Sequence, residues 1–338
     1  MKKILIANRG EIAIRIAATA AGMGIATVAI FPEDDSGSLH TRRADEARVL
    51  PGAGAGAYLD QAAIVAAARE TGCDAVHPGC GFLSERADFA RACAAAGLIF
   101  IGPAPETLEL FGDKARARDF AKTCGVTVLP GTEAATLEDV TRFFAQHGPI
   151  MLKAVGGGGG RGMRLVREEN ELAGAYERCR SEAKSAFGSD AVYAEKFLPN
   201  ARHIEVQIAG DGKHVVQIGT RECSIQRRHQ KIVEIAPALG LPERLQQKLL
   251  DAAVKIGKSS KYQNLGTIEF LVGGNEFAFI EANPRLQVEH TVTEEVTGLD
   301  LVRMQIGLAD GGKLPEIPEP RGIAVQLRIN METMSADG

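Results

Sequence analysis

Five polar residues occupy every second position of one short stretch: Glu281, Asn283, Arg285, Gln287 and Glu289. Side chains two apart in an extended chain point to one side. This spacing therefore predicts a face with two carboxylates, two amides and a guanidinium. Phe279 and Ile280 anchor the stretch in a sheet, and Pro284 ends regular pairing. Glu269 lies on the preceding apolar run, residues 267–272, which returns as 277–282 through a Gly-Gly-Asn connection. If Glu269 pairs with Glu281, their oxygens together with Asn283 suit a hard cation such as Mg²⁺ that also binds substrate phosphates. That pairing needs an even register sum, hence a three-residue connection of Gly274, Asn275 and Glu276. A slip of one residue would send one acid to the other face.

Five glycines, Gly156 to Gly160, follow a strand that carries Lys153 and precede Arg161-Gly162-Met163. Without Cβ atoms, their N–H groups can approach phosphate oxygens closely. A P-loop would require Lys followed by Ser or Thr after Gly162, and Met163-Arg164 stands there. A glycine run loses much entropy in any fixed shape, which fits a flap that orders over a nucleotide. Lys114, Lys153, Lys196 and Lys231 lie around this flap and the acid pair, with a basic cluster at Arg227-Arg228-His229-Gln230-Lys231. Phosphoryl transfer needs chiefly positioning and charge neutralisation, and these parts supply both. Asn8-Arg9-Gly10-Glu11 and residues 77–85 sit at strand ends and are candidate cleft residues. The single glycine in the first set argues against a dinucleotide fingerprint.

The elements that must carry these residues change character along the chain. Strands at 4–7, 26–31, 75–77 and 99–101 alternate with helices at 11–21 and 61–71, which implies a parallel sheet with crossover helices. A middle segment, about 130–200, has a strand at 150–154, the glycine run and a helix at 168–183. Hairpins follow. Residues 204–208 alternate cleanly, Asp211-Gly212 is a strong turn signal, and 214–218 return. A helix over 243–259 separates this hairpin from the 267–282 hairpin. The reading is a parallel α/β unit, a small Gly-rich unit and an antiparallel α+β unit. A last strand, 323–330, lies so near the end of the sequence that the antiparallel unit is expected to be incomplete.

Length and charge narrow the classes. The 338 residues suggest about two domains, with 45% apolar and 24% charged residues. The net charge of −4 and the absence of Trp argue against nucleic acid as a partner and give no membrane signal. No apolar run approaches a spanning length. Six cysteines without a C-x-x-C pair suggest reduced thiols and a cytoplasmic setting.

Residues 6–13 (Ile-Ala-Asn-Arg-Gly-Glu-Ile-Ala), 77–85, 153–163, 226–231 and 281–290 together resemble biotin carboxylase, the ATP-grasp component of biotin-dependent acyl-CoA and pyruvate carboxylases. The resemblance runs over the whole chain. It implies an ATP-grasp fold of mixed α/β and α+β class. The parts would be an N-terminal parallel α/β (pre-ATP-grasp) domain at 1–113, a linker and Gly-rich lid at 114–197, and an incomplete antiparallel C-terminal domain at 198–338. It implies phosphorylation of bicarbonate by ATP to carboxyphosphate, then carboxylation of biotin on a carrier protein. By motif match, Lys114, Lys153, Gly159, Gly160, His203, Gln226 and His229 would contact ATP, with Glu195, Lys196, Phe197 and Leu198 as the strip against the adenine. Glu269, Glu281 and Asn283 would hold Mg²⁺ or Mn²⁺. Lys231, Arg285, Gln287 and the Val288 backbone would bind bicarbonate, Glu289 would deprotonate it, and Arg328 would stabilise the biotin enolate. Implied partners are a biotin carboxyl carrier and a carboxyltransferase, and a homodimer is left open. Departures from the family pattern are Cys80 where Tyr is common, Arg86 where Asn is common, and uncharged positions near Ala18 and Gly22. A carbamoyl-phosphate synthetase-like ligase and an inactive nucleotide-binding fragment remain as alternatives.

Overall fold

The computed structural model describes residues 1–155, 162–227 and 230–329. The first sheet is parallel: β1 Lys3–Ile6, β2 Ala26–Pro32, β3 Glu46–Leu50, β4 Ala75–His77 and β5 Ile99–Phe100, in the order β3-β2-β1-β4-β5. Short apolar runs such as Ile4, Leu5 and Ile6 are buried on both faces, as crossover helices require. The strand order reverses between β1 and β4, so a crevice opens where the chain leaves both strands. Asn8 and residues 77–81 line it. The Asn8 amide donates to the carbonyls of Pro78 (2.7 Å) and Cys80 (2.9 Å). Gly79, at φ +66°, is required there, since a Cβ would lie 2.7 Å from the Asn8 Nδ2.

A second, antiparallel sheet comprises β6 Ile150–Ala154, β7 Met163–Val166 and β8 Val192–Lys196, with β6 central. The helix Leu172–Phe187 covers it through Leu172, Ala175 and Cys179. This helix begins four residues later than its sequence pattern suggests. Glu171 accepts from the Glu168 backbone N–H at 3.2 Å and holds a short 3₁₀ turn ahead of it.

The third sheet carries the chemistry. Its strands are β9 Arg202–Asp211, β10 Val215–Arg227, β11 Gln230–Ala236, β12 Gln263–Gly273, β13 Glu276–Asn283 and β14 Ala324–Leu327, in the order β13-β12-β9-β10-β11-β14. One face packs on the helix Glu243–Ser259, joining Ile204, Val206, Ile208, Ile268 and Phe270 to Leu245, Leu249 and Ile256. The helix Lys114–Thr123 joins the same core through Ala117 and Ala121. Period-2 alternation sends the intervening residues, among them Glu205, Gln207, Thr267 and Glu269, to the opposite face. That face is also buried. Among the described residues, no helix is long and apolar enough to cross a membrane.

Candidate active site

Strand register assembles a row of charge. Arg221 on β10 lies opposite Glu205 on β9, Glu205 opposite Glu269 on β12, and Glu269 opposite Glu281 on β13. Cross-strand partners share a face. The expected pairing of Glu269 with Glu281 is therefore present, but the expected three-residue connection is not. Gly273 faces Glu276 across a two-residue turn, Gly274-Asn275. A bulge supplies the missing residue: Phe270 faces Phe279 while Glu269 faces Glu281, leaving Ile280 unpaired.

The expected extended row to Glu289 is likewise shorter than its spacing suggests. β13 ends at Asn283, because Pro284 has no N–H to continue the ladder. Residues 284–289 instead fold back as a loop over the sheet. Even so, Arg285, Gln287 and Glu289 reach the same place. The Gln287 amide donates to Glu269 at 2.8 Å, Arg285 to the Asn283 Oδ1 at 3.0 Å and also to Glu85. Lys231 donates to Glu289 at 2.8 Å, to Glu269 at 3.1 Å and to Glu205. Arg328, one residue past β14, donates to Glu289 at 2.9 Å and to Glu234 at 2.5 Å. Val288 is half-buried in the turn before the helix His290–Thr297.

Buried charge at this density requires compensation. Burial alone would raise the Glu269 carboxyl, but Lys231 and then His203 hold it well below the ordinary carboxylate range. Glu205 is lowered against burial by Lys231 and Arg221. Lys231 is correspondingly raised by Glu205, Glu269 and Glu289, although burial opposes this. His203 bonds Glu269 through Nε2 at 2.5 Å, while the Gln226 amide lies 3.0 Å from its Nδ1. His203 thus orients Glu269, and Gln226 holds His203.

Glu205, Gln207, Arg221, Thr267 and Thr293 were not singled out by sequence reasoning. Arg221 is fully buried. It donates to Glu205 at 2.9 Å, Gln207 at 2.8 Å, Thr267 and Thr293 at 3.0 Å, and Gln287 at 2.6 Å. The available signal was charge on three neighbouring strands, whose positions only the register between those strands matches.

Lys114 lies 3.4 Å from Glu281, and Lys153 pairs with Glu195 on β8. Lys196 departs from the expected group of four lysines. It ends β8 exposed, because alternation turns it away from the buried Glu195 side. Phe197 follows, with the Arg167 guanidinium 5.5 Å from its ring centre, and Leu198 rests against Gly273. Gly159, Gly160 and His229 lie outside the described residues.

Two histidines beside the site are buried and held neutral. The Gly79 N–H donates to His77 Nδ1 at 3.1 Å, and His290 Nδ1 bonds the Gln287 carbonyl at 2.8 Å, which ties down the loop. Burial lowers His77 to about 3 and His290 to about 4. The unfolded chain takes up these protons near pH 6.5, whereas the folded chain does not. Stability should therefore be complete above about pH 6.5 and fall towards pH 4, by about 1.4 kcal/mol per pH unit for each histidine. Urea unfolding across this range should show that slope, and His290→Asn should reduce it by about one histidine's share.

Glu269 and Glu281 offer oxygen donors from adjacent strands, a set that fits Mg²⁺ or Mn²⁺. Asn283 directs its Nδ2 at Glu269, at 2.6 Å, and a half-turn of the amide would present its oxygen. His203, Glu205 and Glu269 also bring ligand atoms within 4.8 Å of one another, but both acids are already bonded to the Lys231 ammonium.

Residues 1–108 match the family model of the biotin carboxylase N-terminal domain, and residues 113–317 match that of the carbamoyl-phosphate synthase L chain ATP-binding domain. A biotin carboxylase–βγ-ATP complex from Campylobacter jejuni superposes with a TM-score of 0.93 at 43% identity, covering 97% of this chain and 75% of that one. The chain belongs to the biotin carboxylase family. The biotin carboxylase domain dimer of Hydrogenobacter thermophilus 2-oxoglutarate carboxylase, solved with MgADP, ADP and bicarbonate, matches at TM-score 0.93 and 43% identity over 97% of this chain and 74% of that one. The Bacillus subtilis pyruvate carboxylase is 50% identical over 100% of this chain but only 31% of its own length. The chain thus spans about a third of that curated relative, and its sheets are those of a biotin carboxylase ATP-grasp fold.

Proposed function

We propose that this chain carries out the biotin carboxylase reaction: ATP-dependent activation of bicarbonate to carboxyphosphate, then transfer of the carboxyl group to biotin on a carrier protein. The observation that carries this reading is Lys231, which joins Glu205, Glu269 and Glu289 beneath Arg285, Gln287 and Arg328. An anion entering here meets a lysine and two guanidinium groups. Arg285 offers a planar fork to a carbonate-like anion, with Lys231, Gln287 and the Val288 backbone beside it. The Glu289 carboxylate takes the bicarbonate proton, since bicarbonate is a poor nucleophile until it is removed. Arg328 stabilises the negative charge that develops on the biotin ureido oxygen.

On the nucleotide side, Lys114, Lys153, His203, Gln226 and His229, with Gly159 and Gly160 of the flap, contact ATP. Glu195, Lys196, Phe197 and Leu198 meet the adenine. Glu269, Glu281 and Asn283 would hold Mg²⁺ or Mn²⁺, which neutralises phosphate charge when bound. Glu281→Gln is expected to raise the Mg²⁺ concentration needed for half-maximal turnover by about tenfold or more, with a smaller change in nucleotide affinity. A Mg²⁺ titration of the variant checks this.

The parts of the reading are residues 1–113, 114–197 and 198–338 as N-terminal domain, linker with lid, and C-terminal domain. Pyruvate and acyl-CoA, such as acetyl- or propionyl-CoA, are the candidate final acceptors, delivered through a carboxyltransferase. The dimeric H. thermophilus relative supports a homodimer, and six free cysteines, five of them buried, support the reducing cytoplasm. Bicarbonate-dependent ATP hydrolysis, stimulated by free biotin, tests the function. The carbamoyl-phosphate synthase match over 113–317 favours a second reading, with ammonia as acceptor. Stimulation by ammonia and not by biotin would replace the first reading with the second.

A further inference from the structure

The Glu195 carboxylate is buried and has two cationic partners from different elements. Lys153, on β6, pairs with one oxygen, and Arg118, on the helix Lys114–Thr123, pairs with the other. Arg118 has a second anchor, donating to the Leu129 carbonyl at 2.6 Å. The strip after Leu129 lies along β8, with the Thr132 N–H donating to the Ala194 carbonyl at 2.9 Å. Gly131 leaves room for this arrangement: a Cβ there would stand 2.7 Å from the Arg118 Nη2 and 3.3 Å from the Glu195 Cγ. Arg118 is thus held through both terminal guanidinium nitrogens, whereas Lys153 has only Glu195 among its described partners.

We propose that Arg118 is a positioning residue that lets Lys153 leave Glu195 for a nucleotide phosphate, by keeping the buried Glu195 carboxylate paired after the lysine departs. The inference rests on the nucleotide reading above, in which Lys153 contacts phosphate. Removing one partner of a buried ion pair is costly because the other charge is left alone. Lys153 can exchange partners cheaply only if Glu195 keeps a cation. Without Arg118, release of Lys153 would strand a buried carboxylate, which would take up a proton instead. The other titratable groups facing Glu195 are Lys114, at the start of the Arg118 helix, and Tyr193 on β8. Lys114 is engaged with Glu281 at 3.4 Å, and a neutral tyrosine hydroxyl supplies no cation.

Titration calorimetry of the full chain with MgADP, in two buffers of different ionisation enthalpy near neutral pH, tests this. The unaltered chain should bind without net proton uptake. Arg118→Met should bind about tenfold more weakly and take up close to one proton per ADP. Arg118→Lys, which keeps a cation, should recover most of the affinity and abolish the uptake. The double variant Arg118→Met with Glu195→Gln carries no buried acid to protonate, so its binding of ADP should take up no proton. The proposal is overturned if Arg118→Met binds normally without proton uptake. It is equally overturned if the double variant takes up a proton as Arg118→Met does, or, should Arg118→Met not fold, if Arg118→Lys binds tenfold more weakly. Failure of the unaltered chain to bind MgADP overturns the nucleotide reading itself and this proposal with it.

Discussion

Glu289→Gln should reduce bicarbonate-dependent turnover by about 10²-fold or more while leaving MgADP affinity within about twofold, the pattern expected when a general base is lost. The substitution preserves size and one acceptor oxygen, so the loop should stay in place. Both Glu289 oxygens are engaged, one by Lys231 and the other by Arg328. The two cations are also the groups that would bind bicarbonate and the biotin oxygen. Under the proposed roles, entry of substrate would exchange one set of negative partners for another around a fixed carboxylate. Steady-state rates combined with calorimetry separate the effects. Equal losses in affinity and rate would remove Glu289 from the proton-transfer role.

Arg221→Met should destabilise the fold by about 3–5 kcal/mol, the range for removing one member of a buried ion pair. Methionine fills much of the space but leaves Glu205 with only Lys231 and, at 3.8 Å, His203 beside it, and it strips donors from Gln207, Thr267, Thr293 and Gln287. Because Gln287 also bonds Glu269, the damage should reach the acid row. Urea unfolding measures the loss. A change under about 1 kcal/mol would show that the polar face tolerates the loss of these donors better than burial predicts.

Much of the architecture was legible in the chain because local signals agreed with the final packing. The helix Glu243–Ser259 and the strand Ile150–Ala154 fall where apolar periodicity places them. Position was harder to read than type. The alternation from Glu281 to Glu289 correctly identified residues that meet, but for the second half the cause is a loop returning over the sheet after Pro284. The polar positions of β9 stood out only as one side of an alternating strand, since alternation tells which residues share a side but not what covers it. Only the register between β9, β10 and β12 reveals that Glu205 and Arg221 lie in the middle of the charged row. Arg118 gave no signal at all, because its partner is 77 positions away.

The unpaired Ile280 has an arithmetic consequence. A turn of two residues would, in a smooth ladder, put Glu281 out of phase with Glu269, and the odd residue restores parity just where the two acids must meet. Turn length and bulge are therefore interchangeable halves of one count: a tip longer by one residue without the bulge leaves the acids facing each other, and changing either half alone turns one of them inside out.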